Sequence, residues 1–199
     1  MYFLPQSTWA KKQIPKKALF AKFDLKTSQR DAFDADVARI DIVAVVNENT
    51  LPAIGEGEKV KGFYVLAIQL KRKEYDTKSI ALLNKLIQQN IVFALHFEDE
   101  VQFAINHTKL IKSAWQTESE ASIPLSGISL DAVWENIVKS IGDIEVEEGK
   151  TLIEQIAADT QKAKILAQIT SLEKKIANEK QPRKVRELYN EIKKLRNQL

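Results

Sequence analysis

A long apolar run, Phe63 to Leu70, leads into Gln69-Leu70-Lys71. Metal-dependent nucleases of the restriction-endonuclease class carry an acid, then (Asp/Glu)-x-Lys, on neighbouring strands. The carboxylates hold Mg²⁺, and the lysine steadies the attacking water or the phosphate. Asp41 or Glu58 could supply the first acid, with Gln69 and Lys71 completing the motif. Glutamine is a neutral amide and binds Mg²⁺ far more weakly than a carboxylate, so the pattern fits a non-cleaving relative better than an active nuclease. A strand emerging into ordinary solvent also ends in such residues. Mg²⁺ is the only cofactor implied, and only under the nuclease reading.

The other chemistry-bearing residues are sparse. His96 and His107 sit on, or just past, the two arms of one hairpin; two ligands without a third make no metal site, and Leu95 and Phe97 around His96 suggest sheet packing. No serine lies in the glycine pattern of a nucleophile elbow, which disfavours a hydrolase. Gly55-Glu56-Gly57-Glu58 lacks the third glycine and the following helix of a dinucleotide loop. The chain has no cysteine, which excludes disulfides, thiolate chemistry and sulfur-ligated zinc.

Charge is more informative than its total of +3. Residues 1–30 hold seven basic and one acidic side chain, residues 31–150 hold 12 and 20, and residues 151–199 hold 11 and six. An acidic body therefore carries two basic ends. Lys11, Lys12, Lys16 and Lys17 in one end, and Arg183, Lys184, Arg186, Lys193, Lys194 and Arg196 in the other, are the candidates for phosphate contact. Trp9, beside Lys11-Lys12, is the aromatic on which a base could stack, whereas Trp115 and Trp134 read as core anchors. The plainer alternative is that the ends dock on the acidic body of this or another copy. The basic tail is then a solvated helix face, interleaved with Glu179, Glu187 and Glu191 at ion-pair spacing.

These residues need elements to position them. Pro15 keeps Ile14 extended, so residues 1–26 read as a basic arm. Thr27 is suited to cap a helix carrying Phe33, Val37 and Ile40, followed by a strand over Ile42–Val46 and a turn at Asn47-Glu48-Asn49. A buried strand over 63–70 precedes a helix capped by Asp76 or Thr77, with Ile80, Leu83 and Ile87 inward. Ile91–Phe97 and Val101–Ile105 form a hairpin around Glu98-Asp99-Glu100. Ser129 or Asp131 starts a helix that Gly142 ends. The expected fold is α+β: a small mixed or antiparallel sheet over 27–142 with helices mainly on one face.

An acidic linker, 143–150, then leads to a coiled-coil-like helical hairpin over 151–199. Ile165, Ile169, Leu172 and Ile176 share one seam, and Val185, Leu188, Ile192, Leu195 and Leu199 share another, with Pro182 between them. Short helices are marginal alone, so each seam requires a cover, either the other arm or a second copy in a homo-oligomer. No apolar run is long enough for a membrane span, and the start lacks the charged and apolar regions of a secretory signal, so a cytoplasmic protein is expected.

Met1-Tyr2-Phe3-Leu4-Pro5 with Ile14-Pro15-Lys16-Lys17 resembles the opening of an uncharacterised bacterial family, domain of unknown function 4391. Leu172-Glu173-Lys174-Lys175-Ile176, Glu179-Lys180-Gln181 and Glu191-Ile192-Lys193-Lys194-Leu195 resemble its closing segment, and Asn90 to Ile105 its central hairpin. The resemblance spans nearly the whole chain. It implies a setting beside DNA methyltransferases and helicase-like restriction subunits, hence a role in restriction-modification or phage defence. It implies no catalytic residues.

Overall fold

β-Branched and aromatic residues gather in the stretches that build the sheet. The computed structural model describes residues 1–23 and 25–199, which form two compact units, 1–144 and 145–199. In the first, β1 (Trp9–Gln13), β2 (Val37–Asn47), β3 (Gly62–Leu70), β4 (Ile91–Phe97), β5 (Glu100–Asn106) and β6 (Leu110–Lys112) lie side by side in that order. The short β7 (Gln116–Thr117) also pairs with β5. All pairs are antiparallel except β3 with β4. Parallel neighbours need a crossover, which α3 (Thr77–Ile87) provides. Its N-cap is Asp76, whose carboxylate accepts from the Lys78 amide at 2.9 Å.

Alternation along the strands sorts the two faces. Leu66, Ile68, Phe93 and Leu95 pack with Leu19 of α1 (Lys16–Lys22), Phe33 of α2 (Thr27–Asp36), and Ile80 and Leu83 of α3. On the opposite face Phe63 meets Trp134 of α4 (Leu130–Gly142), with ring centroids 5.5 Å apart. The body is therefore an α+β domain with a mixed sheet and helices mainly on one face.

Several local expectations change. The helix over Phe33, Val37 and Ile40 ends at Asp36, and Val37 and Ile40 belong to β2. A bulge between Val37 and Arg39 inserts one residue, so two side chains three apart reach the same core and imitate helical spacing. The basic N-terminal arm is anchored to the body: Trp9–Gln13 extends the sheet and Pro15 caps α1, with Ile14, Leu19, Phe20 and Phe23 against the core. Thr27 is the first helical residue and Lys26 the cap. Gly142 is the last residue of α4, and Asp143, at φ 49°, closes the helix.

One buried carboxylate ties the α2–β2 junction to the loop after β3. Asp36 accepts from Arg72 Nε at 2.7 Å, the Asp76 amide at 2.9 Å and Ser79 Oγ at 3.2 Å, while its carbonyl accepts from the Lys71 amide at 2.8 Å.

The second unit is a helical hairpin. Thr151 and Glu154 cap the start of α5 (Leu152–Asn178) reciprocally, and Pro182 opens α6 (Pro182–Arg196), where its missing donor is harmless. Ile165, Ile169, Leu172 and Ile192 are buried together with Ile176, Leu188 and Leu195 against them. Arg196 and Glu173 pair at 3.1 Å, as antiparallel arms require. Each seam thus covers the other. Val185 is half-buried and Leu199 exposed, both outside that cluster.

Two substitutions test this architecture by urea unfolding. Asp36→Ala leaves the Ser79 hydroxyl and the Asp76 amide without their acceptor and is expected to cost about 2–3 kcal/mol. Gly62→Ala brings a Cβ to 2.7 Å from the Val46 carbonyl oxygen of the adjoining strand. It is expected to cost about 1–3 kcal/mol. Unchanged midpoints would contradict these assignments.

Candidate functional site

The sheet face that bears α4 is apolar around Phe63 and polar near the carboxyl ends of β3 and β4. There an open cleft of about 800 Å³ crosses β1 to β4. Register explains its lining: Gln13 pairs with Asp41 and Asp41 with Ala67, while Arg39 pairs with Gln69 and Gln69 with His96. Two rows of side chains on four adjacent strands therefore present polar groups around the small Ala67. Trp9 and Lys11 precede Gln13 at alternate positions, and Tyr2 and Glu118 close one side. Bulges on either side of Arg39–Ile42 re-aim this stretch of β2.

The charged groups are partly self-satisfied. Arg39 grips Asp41 with both arms, Nε to Oδ2 at 2.6 Å and Nη2 to Oδ1 at 2.9 Å, and this hydrogen bonding raises the guanidinium pKa. Tyr2 Oη and His96 Nε2 lie 2.5 Å apart. Burial lowers the imidazole pKa, against the opposing charge of Glu118, and burial raises that of the phenol. Both shifts favour the neutral rings, which share one hydrogen bond across this contact. Gln69 Nε2 donates to the His96 carbonyl at 3.4 Å. Among the described residues, nothing bonds to Lys11 Nζ or to the Gln13 amide.

The four nuclease candidates divide. Asp41 and Gln69 share the cleft. Lys71 does not line it: its Nζ donates to the Asp34 carbonyl at 2.5 Å. Glu58 precedes the opposite end of β3, and the rise from Gly62 to Gln69 alone is about 23 Å at ~3.3 Å per residue. Its amide, with those of Lys59 and Val60, donates to the Asp131 carboxylate at 2.6, 3.1 and 2.7 Å. These bonds, the one from Val60 foremost, depress the Asp131 pKa. The glycine-containing turn that fails as a phosphate loop thus clasps the chain's own carboxylate. Among the described residues, no three His, Asp or Glu side chains converge as metal ligands.

The basic candidates also divide. Lys16 is held by Asp34 at 2.5 Å and the Val37 carbonyl at 2.9 Å. Lys17 is exposed on α1, and Lys11 and Lys12 lie on the edge strand, where lysines discourage strand addition. On the hairpin, Arg183 pairs with Glu187 at 3.2 Å and Arg196 with Glu173. Lys184 lines a groove between the arms. Arg186, Lys193 and Lys194 are exposed.

Sequence reasoning did not foresee Tyr2, Gln13, Arg39 and Glu118 as cleft residues, and it assigned His96 to ordinary packing. The alternating Arg39-x-Asp41 was the available signal, masked because residues 33–40 mimic a helix. His107 lies past the far end of the hairpin, with its Nδ1 buried and unbonded.

Fold and cleft together define an α+β protein with a polar cleft on its sheet and a separate helical hairpin. The family described as domain of unknown function 4391 matches residues 3–199, and the chain belongs to it. No curated protein and no solved structure matches the chain. No helix among the described residues is long and apolar enough to cross a membrane.

His96 supplies a pH test. A folded-state pKa below the ordinary 6.5 means that the unfolded chain takes up the proton first. Stability is therefore complete above pH 6.5 and falls as the pH drops below it. The urea midpoint is expected to decline from pH 7 to pH 5.5 in the wild type and to decline less in His96→Gln. Equal slopes would contradict a neutral, Tyr2-bonded imidazole.

Proposed function

We propose that this protein is a non-enzymatic accessory or adaptor subunit of a restriction-modification-like or phage-defence system, engaging a DNA methyltransferase or helicase-like subunit. The observation that carries this reading is the self-closed seam of the α5–α6 hairpin. Its seam is closed by its own residues, so its outer surface, with Arg186, Lys193 and Lys194 exposed, is free to meet an acidic partner. The defence setting comes from the family resemblance. Interface charges chiefly set encounter rate and partner choice, which suits a subunit that must find one assembly among many proteins.

Co-expression with the methyltransferase and helicase-like subunits encoded beside it tests the reading. The full chain is expected to co-purify with at least one of them. Reversal of Lys193 and Lys194 to Glu should reduce recovery about tenfold, the scale of a small set of interface charges, with the unfolding midpoint unchanged. A protein that elutes alone at low salt contradicts the reading.

The second reading, an active or degenerate metal-dependent nuclease, draws on Asp41 and Gln69 sharing one cleft. An active enzyme would further require Lys71 to leave the Asp34 carbonyl. Incubation with single- and double-stranded DNA in Mg²⁺ or Mn²⁺ separates the adaptor from an active nuclease. The adaptor reading expects no cleavage, whereas cleavage abolished by Asp41→Asn would establish the nuclease.

A further inference from the structure

The cleft contains features that neither sheet packing nor the adaptor reading uses. Trp9 keeps 43% of its surface exposed within a concavity, and its Nε1 donates to the Leu4 carbonyl at 3.0 Å. The indole is thereby held with its ring available to the cleft. Lys11 and Gln13 line the same cleft from β1, whose register with β2 shifts between Trp9 and Lys12, and both are without partners among the described residues. Arg39 and Asp41 neutralise each other, which leaves Lys11 as the lining side chain with an unengaged ammonium. Ala67, Ile42 and Val43 contribute apolar surface. The cleft lies near the carboxyl ends of the parallel strands, the usual ligand position in sheets with parallel crossovers. Its volume of about 800 Å³ suits a ligand of nucleotide size.

We infer that this cleft binds a nucleotide, with the base stacked on Trp9, its edge read by the Gln13 amide, and the phosphate on Lys11. Stacking needs a fixed aromatic face, which Trp9 offers. An amide presents a donor beside an acceptor, the pair complementary to the N6/N7 edge of adenine. Trp9 and Lys11 are two residues apart and line one cleft, at most about 7 Å apart along the backbone, so they reach the base and the phosphate of one nucleotide together. Of the two carboxylates that line the cleft, Asp41 is locked to Arg39 and Glu118 stands at the Tyr2 side, away from Lys11 on β1. The nucleotide is either free or part of a single strand, and the two sources share this chemistry.

The test titrates the full chain with adenosine 5′-monophosphate by calorimetry and with a fluorescein-labelled twelve-nucleotide oligo-dA by anisotropy. At least one probe is expected to bind. Trp9→Ala should weaken it about tenfold, the effect of one lost base stack. Lys11→Gln should weaken it and lower the slope of log affinity against log salt by about one. Trp9→Phe should retain most of the affinity. Binding of the mononucleotide identifies a free-nucleotide site, and binding of the oligonucleotide alone identifies a single strand. Reversal of Lys193 and Lys194 should leave mononucleotide binding unchanged, so this inference and the adaptor reading fail separately. Absence of binding for both probes at millimolar concentration overturns the inference. So does binding indifferent to Trp9→Ala and Lys11→Gln, or lost only on reversal of the hairpin lysines. All three cleft substitutions are at exposed positions, and unchanged urea midpoints verify that the variants fold.

Discussion

The parallel pairing of β3 with β4 is the constraint from which the rest of the body follows. Two parallel neighbours cannot be joined by a tight turn, so the chain must cross one face of the sheet. That crossing is α3, and its apolar residues meet those of α1 and α2 in one core. The same pairing places the carboxyl ends of both strands together, which brings Gln69 beside His96. On this end of the opposite face the cleft forms.

Two local devices adapt that frame. The bulges of β2 let Val37 and Ile40 both enter the core while Arg39 and Asp41 turn to the cleft. Asp36 then joins the start of β2 to the loop after β3 through a buried carboxylate with three donors. An edge strand, β1, adds the aromatic and basic side chains at the outer margin. The hairpin unit works by different physics: the apolar seams of two helices cover each other. Its apolar seam is thereby covered, and its exposed surface carries Arg186, Lys193 and Lys194 along with Leu166 and Tyr189.

Much of this was legible in the residues. The seams of α5 and α6 were readable because a heptad pattern puts its apolar residues on one helix face, and Pro182 marked the break. The β4–β5 hairpin was equally direct, and the caps were narrowed to Asp76 or Thr77 and to Ser129 or Asp131, of which Asp76 and Ser129 serve. The β2 bulge was not legible, because it turns a strand's period of two into a step of three that a helix also shows. The N-terminal segment reads as an extended arm because Pro15 keeps Ile14 out of the helical region; only the pairing with β2 makes it an edge strand. The cleft was half visible. Asp41 and Gln69 stood out as chemistry, but Tyr2, His96 and Glu118 join them only through long-range contacts that no local pattern records.

The central claim is that the body carries a ligand site at the carboxyl ends of β3 and β4, while the hairpin serves a separate purpose. Backbone hydrogen exchange of the full chain, with and without saturating adenosine 5′-monophosphate or oligo-dA, tests it most directly. The account predicts slowed exchange over residues 9–13, 39–43, 67–71 and 94–98, with the 152–196 region unchanged by the mononucleotide. Slowing confined to α5 and α6, with β1 to β4 unaffected by either probe, would contradict it.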